Sequence, residues 1–253
     1  MKELIEKSIK NYIREYSLSQ KLASAWSIPI VKFADANDPL FLKLKSIIGK
    51  THNSPQELLE HAKTVITYFI PFDESIVLSN IGGVYSSRDW AIAYVETNHL
   101  IEDLNKHISQ TLNYEGFKTK ILPPTHNFDE NKLISDWSHK HVGYIAGLGK
   151  FGVHKMLITE KGCCGRIGSL ITDAAFTPSK REDNEFCLHY HDKSCLKCVN
   201  NCSFGALKKK SLNRHKCYEI CLLNSKYYTD LGLVDVCGKC CCIVPCSFRN
   251  PVP

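Results

Sequence analysis

The chain has 253 residues, 43% hydrophobic and 23% charged, enough to bury a full core without help from metal or disulfides. Its formal charge of +6 counts every thiol as neutral; eight metal-bound thiolates on two clusters would bring it to about +2, so the basic balance is not a nucleic-acid signature. No stretch approaches the roughly 18 apolar residues of a membrane span, and the N-terminus lacks the apolar run and cleavage site of a signal peptide, which points to a cytoplasmic protein with no membrane partner.

Leu4, Ile5, Ile9, Tyr12, Ile13 and Tyr16 recur at helical spacing and predict a helix over 2–16. Residues 28–36 predict a strand, Asn37 to Pro39 a turn, and a short helix then runs through Ile48. Ser54 before Pro55 is a helix start. The β-branched and aromatic run 64–72 predicts a buried strand, and the glycine-bearing stretch 79–87 a loop. Trp90, Tyr94, Leu100, Ile101, Leu104, Ile108 and Leu112 form one apolar stripe and predict the longest helix, from Arg88 to about Asn113. Residues 117–122 read as a strand stopped by Pro123 and Pro124, and a helix is expected through Leu133, Ile134 and Trp137. Strands at 155–159 and 166–173, joined by "EKGCCG", are expected to form a hairpin. The polar stretch 174–185 is the natural boundary, dividing the chain into 1–178 and 179–253.

Eleven of the thirteen cysteines lie between Cys187 and Cys246. In a reducing compartment such a density signals metal or catalysis rather than disulfides. Cys195-x2-Cys198-x3-Cys202 matches the later part of a bacterial two-cluster ferredoxin run, in which the last cysteine serves the other cluster. Cys187 supplies the first position, and Cys237-x2-Cys240-x5-Cys246 is the returning group. The expected assignment is Cys187, Cys195, Cys198 and Cys246 for one 4Fe–4S cluster, and Cys202, Cys217, Cys237 and Cys240 for the other, with Cys221 competing for the place of Cys217. The competing reading is structural zinc, which also uses paired cysteines. Cys241 and Cys242 are not expected to be ligands, and Cys163 and Cys164 are reactive or merely packed. The basic run Lys208 to Lys210, with Arg214, His215 and Lys216, is a solvated face or a dock for an acidic donor or a phosphate backbone.

Gly147-x-Gly149-x-x-Gly152 has the letters of a dinucleotide fingerprint without the preceding strand and following helix, so backbone comes close to something other than a dinucleotide there. His126, Asp129, Asp136, His139 and His141 crowd the segment before it. Asp136 and His139 are close enough along a helix to touch, and a histidine near neutrality can donate the proton a reductive cleavage needs.

The stretches "AGLGKFGVHKMLIT" and "GSLITD", followed by the split cysteine set, resemble the epoxyqueuosine reductase family, which is related to the reductive dehalogenases; the ending "CGKCCCIVPCSFRNP" resembles a compact branch without C-terminal helical repeats. The resemblance implies an α+β fold, with a nitroreductase-like cobalamin-binding domain followed by a ferredoxin-like two-cluster domain. It implies an oxidoreductase whose clusters pass electrons to bound cobalamin for reductive chemistry on a small molecule or modified nucleoside. The electrons would come from a ferredoxin or flavodoxin, and tRNA would be a possible partner. Gly147, Leu148, Gly149, Lys150, Phe151 and Gly152 would contact the corrinoid, with Tyr85 and Arg88 near it, and His126, Asp136, His139 and His141 would be the catalytic candidates. Where the family carries a catalytic aspartate, this chain has Leu122-Pro123-Pro124-Thr125-His126. The alternative is an electron-transfer protein that reduces a partner such as a corrinoid protein and has no substrate of its own.

Overall fold

A computed structural model describes residues 1–19, 22–126 and 128–253. The organising element is strand β2 (Thr64–Pro71), in which every residue is buried. It pairs antiparallel with β1 (Ile30–Asp35) on one side and β8 (Gly165–Thr172) on the other, and β8 pairs antiparallel with β3 (Thr119–Ile121), giving the order β1-β2-β8-β3.

The alternation of a strand feeds two cores from β2. Ile66, Tyr68 and Ile70 pack with Ile5, Ile9 and Ile13 of α1 (Lys2–Ser19) and with Leu100, Ile101, Leu104 and Ile108 of α5 (Arg88–Tyr114). Val65 on the other face meets Val142, Ile145 and Ala146 of α6 (His139–Ile145 and its cap), and Phe41 and Leu44 of α2 (Leu40–Ile47). One polar contact is buried in the first layer: Tyr68 donates to Asn105 Oδ1 at 2.8 Å. Helix α5 begins where its sequence says it should. Ser87 Oγ accepts the Trp90 N–H at 3.1 Å, and Asp89 lies in the positive first turn. The start at Ser54 is a capping box with Glu57, opening the short α3 (Pro55–Leu58). A further helix, α4 (Glu74–Ser79), follows β2 and was not expected.

Two expectations fail. The segment through Leu133 and Ile134 is not a helix but a small ladder, β4 (Phe128–Asp129) with β5 (Ile134–Ser135). The Asp129 carboxylate accepts the N–H groups of Asn131 and Lys132 and Leu133 turns to φ +52, so local side-chain bonding wins over helical periodicity. Residues 155–159 and 166–173 are not a hairpin either. Strand β7 (Leu157–Thr159) pairs back onto β6 (Gly149–Phe151), inside the glycine loop. Strand β8 belongs to the main sheet, where Leu170 and Ile171 fill opposite cores.

The last third carries little regular structure: α7 (Leu188–His191), α8 (Lys197–Asn200), α9 (Arg214–Tyr227) and one turn of 3-10 helix. It has no separate core. One cluster joins Phe72, Ile76, Trp90, Val153, Cys163 and Cys164 to Phe186, Cys187, Cys198, Leu207, Cys241, Cys242 and Val244. Thus the stretches on either side of residue 178 share buried surface. Gly238 sits on the Trp90 ring at φ +74, where a Cβ would fall 2.3 Å from the indole. Asn80 Nδ2 donates to the Cys237 carbonyl at 2.9 Å.

Candidate functional site

The cysteines of the last third gather around two spaces. Cys187, Cys195, Cys198 and Cys246 line a small void of about 20 Å³, together with His154. Cys202, Cys217, Cys221, Cys237, Cys240 and Cys241 line one side of a cavity of about 370 Å³. Short helices make this convergence possible: Cys187 caps α7, Cys198 lies on α8, and Cys217 and Cys221 face the same cavity one helical turn apart on α9.

Spacing separates the kinds of metal these thiols can hold. Among the described residues, the one set of His, Cys, Asp and Glu whose ligand atoms lie within 4.8 Å of one another is His154, Cys163 and Cys246. Sulfurs on a single tetrahedral zinc stand about 3.8 Å apart, from bonds of about 2.3 Å. No other three of these residues meet the 4.8 Å limit among the described residues. Burial and neighbouring thiols push the Cys198 thiol up to about 12, and burial pushes Cys237 to about 11. So many thiols cannot ionise together unless a cation joins them. The Trp90 indole N–H borders the larger cavity, is buried and has no partner, leaving a donor for an acceptor held beside Cys237 and Cys240.

Three further cysteines, Cys163, Cys164 and Cys242, are buried together with Cys241. The Cys163 sulfur lies within 4.8 Å of that of Cys246, Cys164 donates to the Cys241 carbonyl at 3.2 Å, and the Cys240 and Cys241 sulfurs are 3.9 Å apart. A continuous run of thiols therefore links Cys246 at the small void to Cys240 at the large cavity. Of the competing pair on α9, Cys221 donates its S–H to the Cys217 carbonyl at 3.4 Å. The neighbouring Cys221 side chain, with help from the Lys140 charge, lowers the pKa of the Cys217 thiol.

A second cavity of about 360 Å³ adjoins the first. Thr125, Lys140, Met156, Cys163, Gly165 and Arg166 border both, so the two form one cleft beside the cysteines. Its polar groups come from four elements. Tyr94 of α5 donates to Asp235 at 2.5 Å, and His126 Nε2 lies 3.4 Å from the same carboxylate. Arg166 of β8 bonds Asn98 Oδ1 at 2.7 Å and lies over the Tyr94 ring. Lys140 of α6 donates to the Lys155 carbonyl at 3.2 Å, and burial lowers its pKa.

Of the residues named from sequence, His126 and His139 border the cleft. His139 is committed elsewhere: its Nε2 faces the Pro123 carbonyl and its Nδ1 the Ser169 hydroxyl, both at 2.8 Å. Burial lowers it to about 4, so it is neutral near pH 7 and holds α6 to the sheet. His141 is likewise lowered by burial to about 4, bonded to Ser138 Oγ at 2.7 Å, and borders neither cavity. Asp136 is exposed outside the cleft, and the expected pairing with His139 is replaced by the bonds just described. Tyr85 stacks on Tyr227 and Arg88 pairs with Asp230, both away from the cleft.

The glycine loop also turns elsewhere: none of residues 147–152 borders either large cavity. Its close approaches are made within the chain. A Cβ would fall 2.6 Å from the Lys180 carbonyl at Gly147, 1.9 Å from the Ile158 carbonyl at Gly149, and 2.8 Å from the His154 ring at Gly152. Leu148 packs into a small core with Leu157, Lys150 lies over Tyr144, and Phe151 makes tilted ring contacts with Tyr144 and His141. Asp235, Lys140 and Arg166 had no motif to announce them, while Tyr94 was read only as part of an apolar stripe and His154 lay unremarked within the 146–159 stretch. The one local hint was the position of Asp235, two residues before Cys237.

No family model and no curated protein matches this chain. Solved structures do. Its fold is that of the epoxyqueuosine reductases. The enzyme from Bacillus subtilis, in a structure with its catalytic loop swung out of the active site, superposes with a TM-score of 0.58 at 18% identity, over 98% of this chain and 68% of that one. The enzyme from Streptococcus thermophilus gives 0.55 at 17%, over 97% and 68%. A third epoxyqueuosine reductase, bound to an epoxyqueuosine-modified tRNA-Tyr stem loop, gives 0.58 at 19%, over 96% and 66%. The chain thus spans about two thirds of the length of these reductases, and at this identity the likeness establishes the mixed helix and sheet fold. No helix among the described residues is long and apolar enough to cross a membrane.

Proposed function

We propose that this chain is an iron–sulfur oxidoreductase resembling epoxyqueuosine reductase, with a nitroreductase-like part that holds a corrinoid and a ferredoxin-like part that holds two 4Fe–4S clusters. The observation that carries the reading is the division of the cysteines into two convergent sets, one of them opening on the cleft. Cys187, Cys195, Cys198 and Cys246 are the proposed ligands of the outer cluster, and Cys202, Cys217, Cys237 and Cys240 those of the cluster beside the cleft. Cys221, one helical turn away on the same cavity, competes for the place of Cys217.

The cleft fits a flat macrocycle with a polar rim: Thr125, Lys140 and Arg166 supply edge donors, while Met156 and the cysteine wall supply an apolar face. These residues, rather than Tyr85, Arg88 or the glycine loop, would hold it. A bound corrinoid would supply the low-potential cobalt centre for reductive chemistry. The chain's own part is to position, to exclude water and to deliver a proton. Phe72, Trp90, Leu207 and Val236 close the apolar side. His126, paired with Asp235 and ringed by Tyr94 and Thr125, is the proton donor the geometry favours. The substrate class is a small molecule or modified nucleoside. The neighbour bound to a tRNA stem loop supports tRNA as carrier. So do the exposed Lys208, Lys209, Lys210 and Lys216, beside Arg214 and His215, which bond the Leu133 and Asn131 carbonyls at the edge of the β4–β5 ladder. A reduced ferredoxin or flavodoxin would feed the outer cluster.

Anaerobic purification tests this directly. Expected are about eight iron and eight sulfide per chain, and a visible spectrum of added cobalamin that changes on binding. The same iron with no response from cobalamin would favour an electron carrier that reduces a partner. Zinc without sulfide would end the reading.

A further inference from the structure

His154 is nearly sealed, at 4% exposure, in the wall between the small void and the cleft. Its orientation is imposed from two sides. Nδ1 accepts the Met156 N–H at 3.0 Å, which leaves the ring proton of the neutral imidazole on Nε2. Nε2 lies 3.4 Å from the Cys246 sulfur, a normal N–H···S separation. The ring rests against Gly152, where a Cβ would come within 2.8 Å of Cε1 and 3.0 Å of Nε2. The third glycine of the loop therefore admits an imidazole rather than a ligand. Cys163 joins the same group from the side of the cleft, with its sulfur within 4.8 Å of both partners.

We propose that His154 is a positioning residue for the cluster held by Cys246: its Nε2–H hydrogen bond to the Cys246 sulfur raises the reduction potential of that cluster, and Gly152 exists to make room for the ring. The proposal rests on the two-cluster reading above. Reduction adds an electron whose charge spreads onto the thiolates, so a donor aimed at one of them stabilises the reduced form more than the oxidised form. No comparable ring faces Cys187, Cys195 or Cys198 among the described hydrogen bonds, so the effect is concentrated on one ligand of one cluster.

The test is a redox titration followed by electron paramagnetic resonance on the anaerobically purified, iron-replete full chain. Wild type is compared with His154→Leu, His154→Gln and Gly152→Ala. His154→Leu should lower one of the two midpoints by about tenfold in the reduction equilibrium, about 59 mV for a one-electron centre, and leave the other in place. Gly152→Ala should move the same midpoint in the same direction by pushing the ring away. His154→Gln, which keeps an N–H donor, should restore most of the shift. Unchanged midpoints in a His154→Leu protein with its full iron would overturn the proposal. A measurement on unmutated protein decides the matter if a variant loses its cluster. With 15N-labelled histidine, pulsed spectra of the reduced wild type should show one weak nitrogen coupling. No coupling, or the strong coupling of a directly bound nitrogen, would overturn it. Failure of the underlying reading looks different: wild type would lack iron and sulfide altogether.

Discussion

The two ends of the molecule are held together by different physics. Around β2 the chain packs aliphatic side chains into two layers, with Ile9, Phe33, Ile66, Leu100, Leu104 and Ile108 entirely buried. This is an ordinary hydrophobic core that stands without metal. In the last third five of the buried positions are cysteines, the helices are short, and the apolar surface is shared with Trp90 and Phe72 of the first part. Thiols crowded at this density repel one another once ionised, so on the proposed reading this region would gain stability by binding metal. On that reading the chain would hold a core that needs no metal and one that does, on either side of the shared cluster around Trp90.

That contrast breaks most sharply if iron is removed. Cys198→Ala and Cys240→Ala should each cost about four of the expected eight iron atoms, measured by iron and sulfide analysis, while far-ultraviolet circular dichroism retains the helical signal of α1 and α5. Loss of that signal would show that the first core depends on the clusters. Next in size is the seam. Trp90→Ala should destabilise by about 3–5 kcal/mol, and in denaturant titrations it should also lower iron retention, because the ring packs against Gly238 beside the proposed ligand Cys237. Leu104→Ala, in the autonomous core, should cost about 2–5 kcal/mol but leave iron content unchanged.

Smaller effects sharpen the same division. His139 is held neutral by burial, with its pKa lowered from 6.5 to about 4. A base whose folded pKa is lowered binds fewer protons folded than unfolded, so its share of stability is lost as pH falls from about 6.5 toward 4. His139→Gln should flatten that part of a stability-against-pH curve, read by thermal melts, without altering metal content. Smallest is the cap of α5, where Ser87→Ala should cost about 1 kcal/mol in the same melts.

Legibility followed range. The stripe of α5, the buried run of β2 and the helix start at Ser54 were readable because each is decided within a few residues. The ladder at β4–β5 was missed because Asp129 spends its carboxylate on its own turn, a choice that periodicity does not register. The glycine loop was recognised as a place of close approach, but what approached was β7, the 180–181 backbone and an imidazole, all brought there by tertiary packing.

The cysteine spacing by itself pointed to clusters and to which cysteines go together, since short loops limit which sulfurs can converge. The sequence also implied the main core elements, through hydrophobic period. Only the tertiary structure decided that the two parts share a core, that Lys140, Arg166, Tyr94 and Asp235 meet at the cleft, and that His154 faces Cys246. Each of those contacts joins groups distant in the chain, and side-chain direction across such distances is set by how helices and sheet pack, which no local pattern encodes.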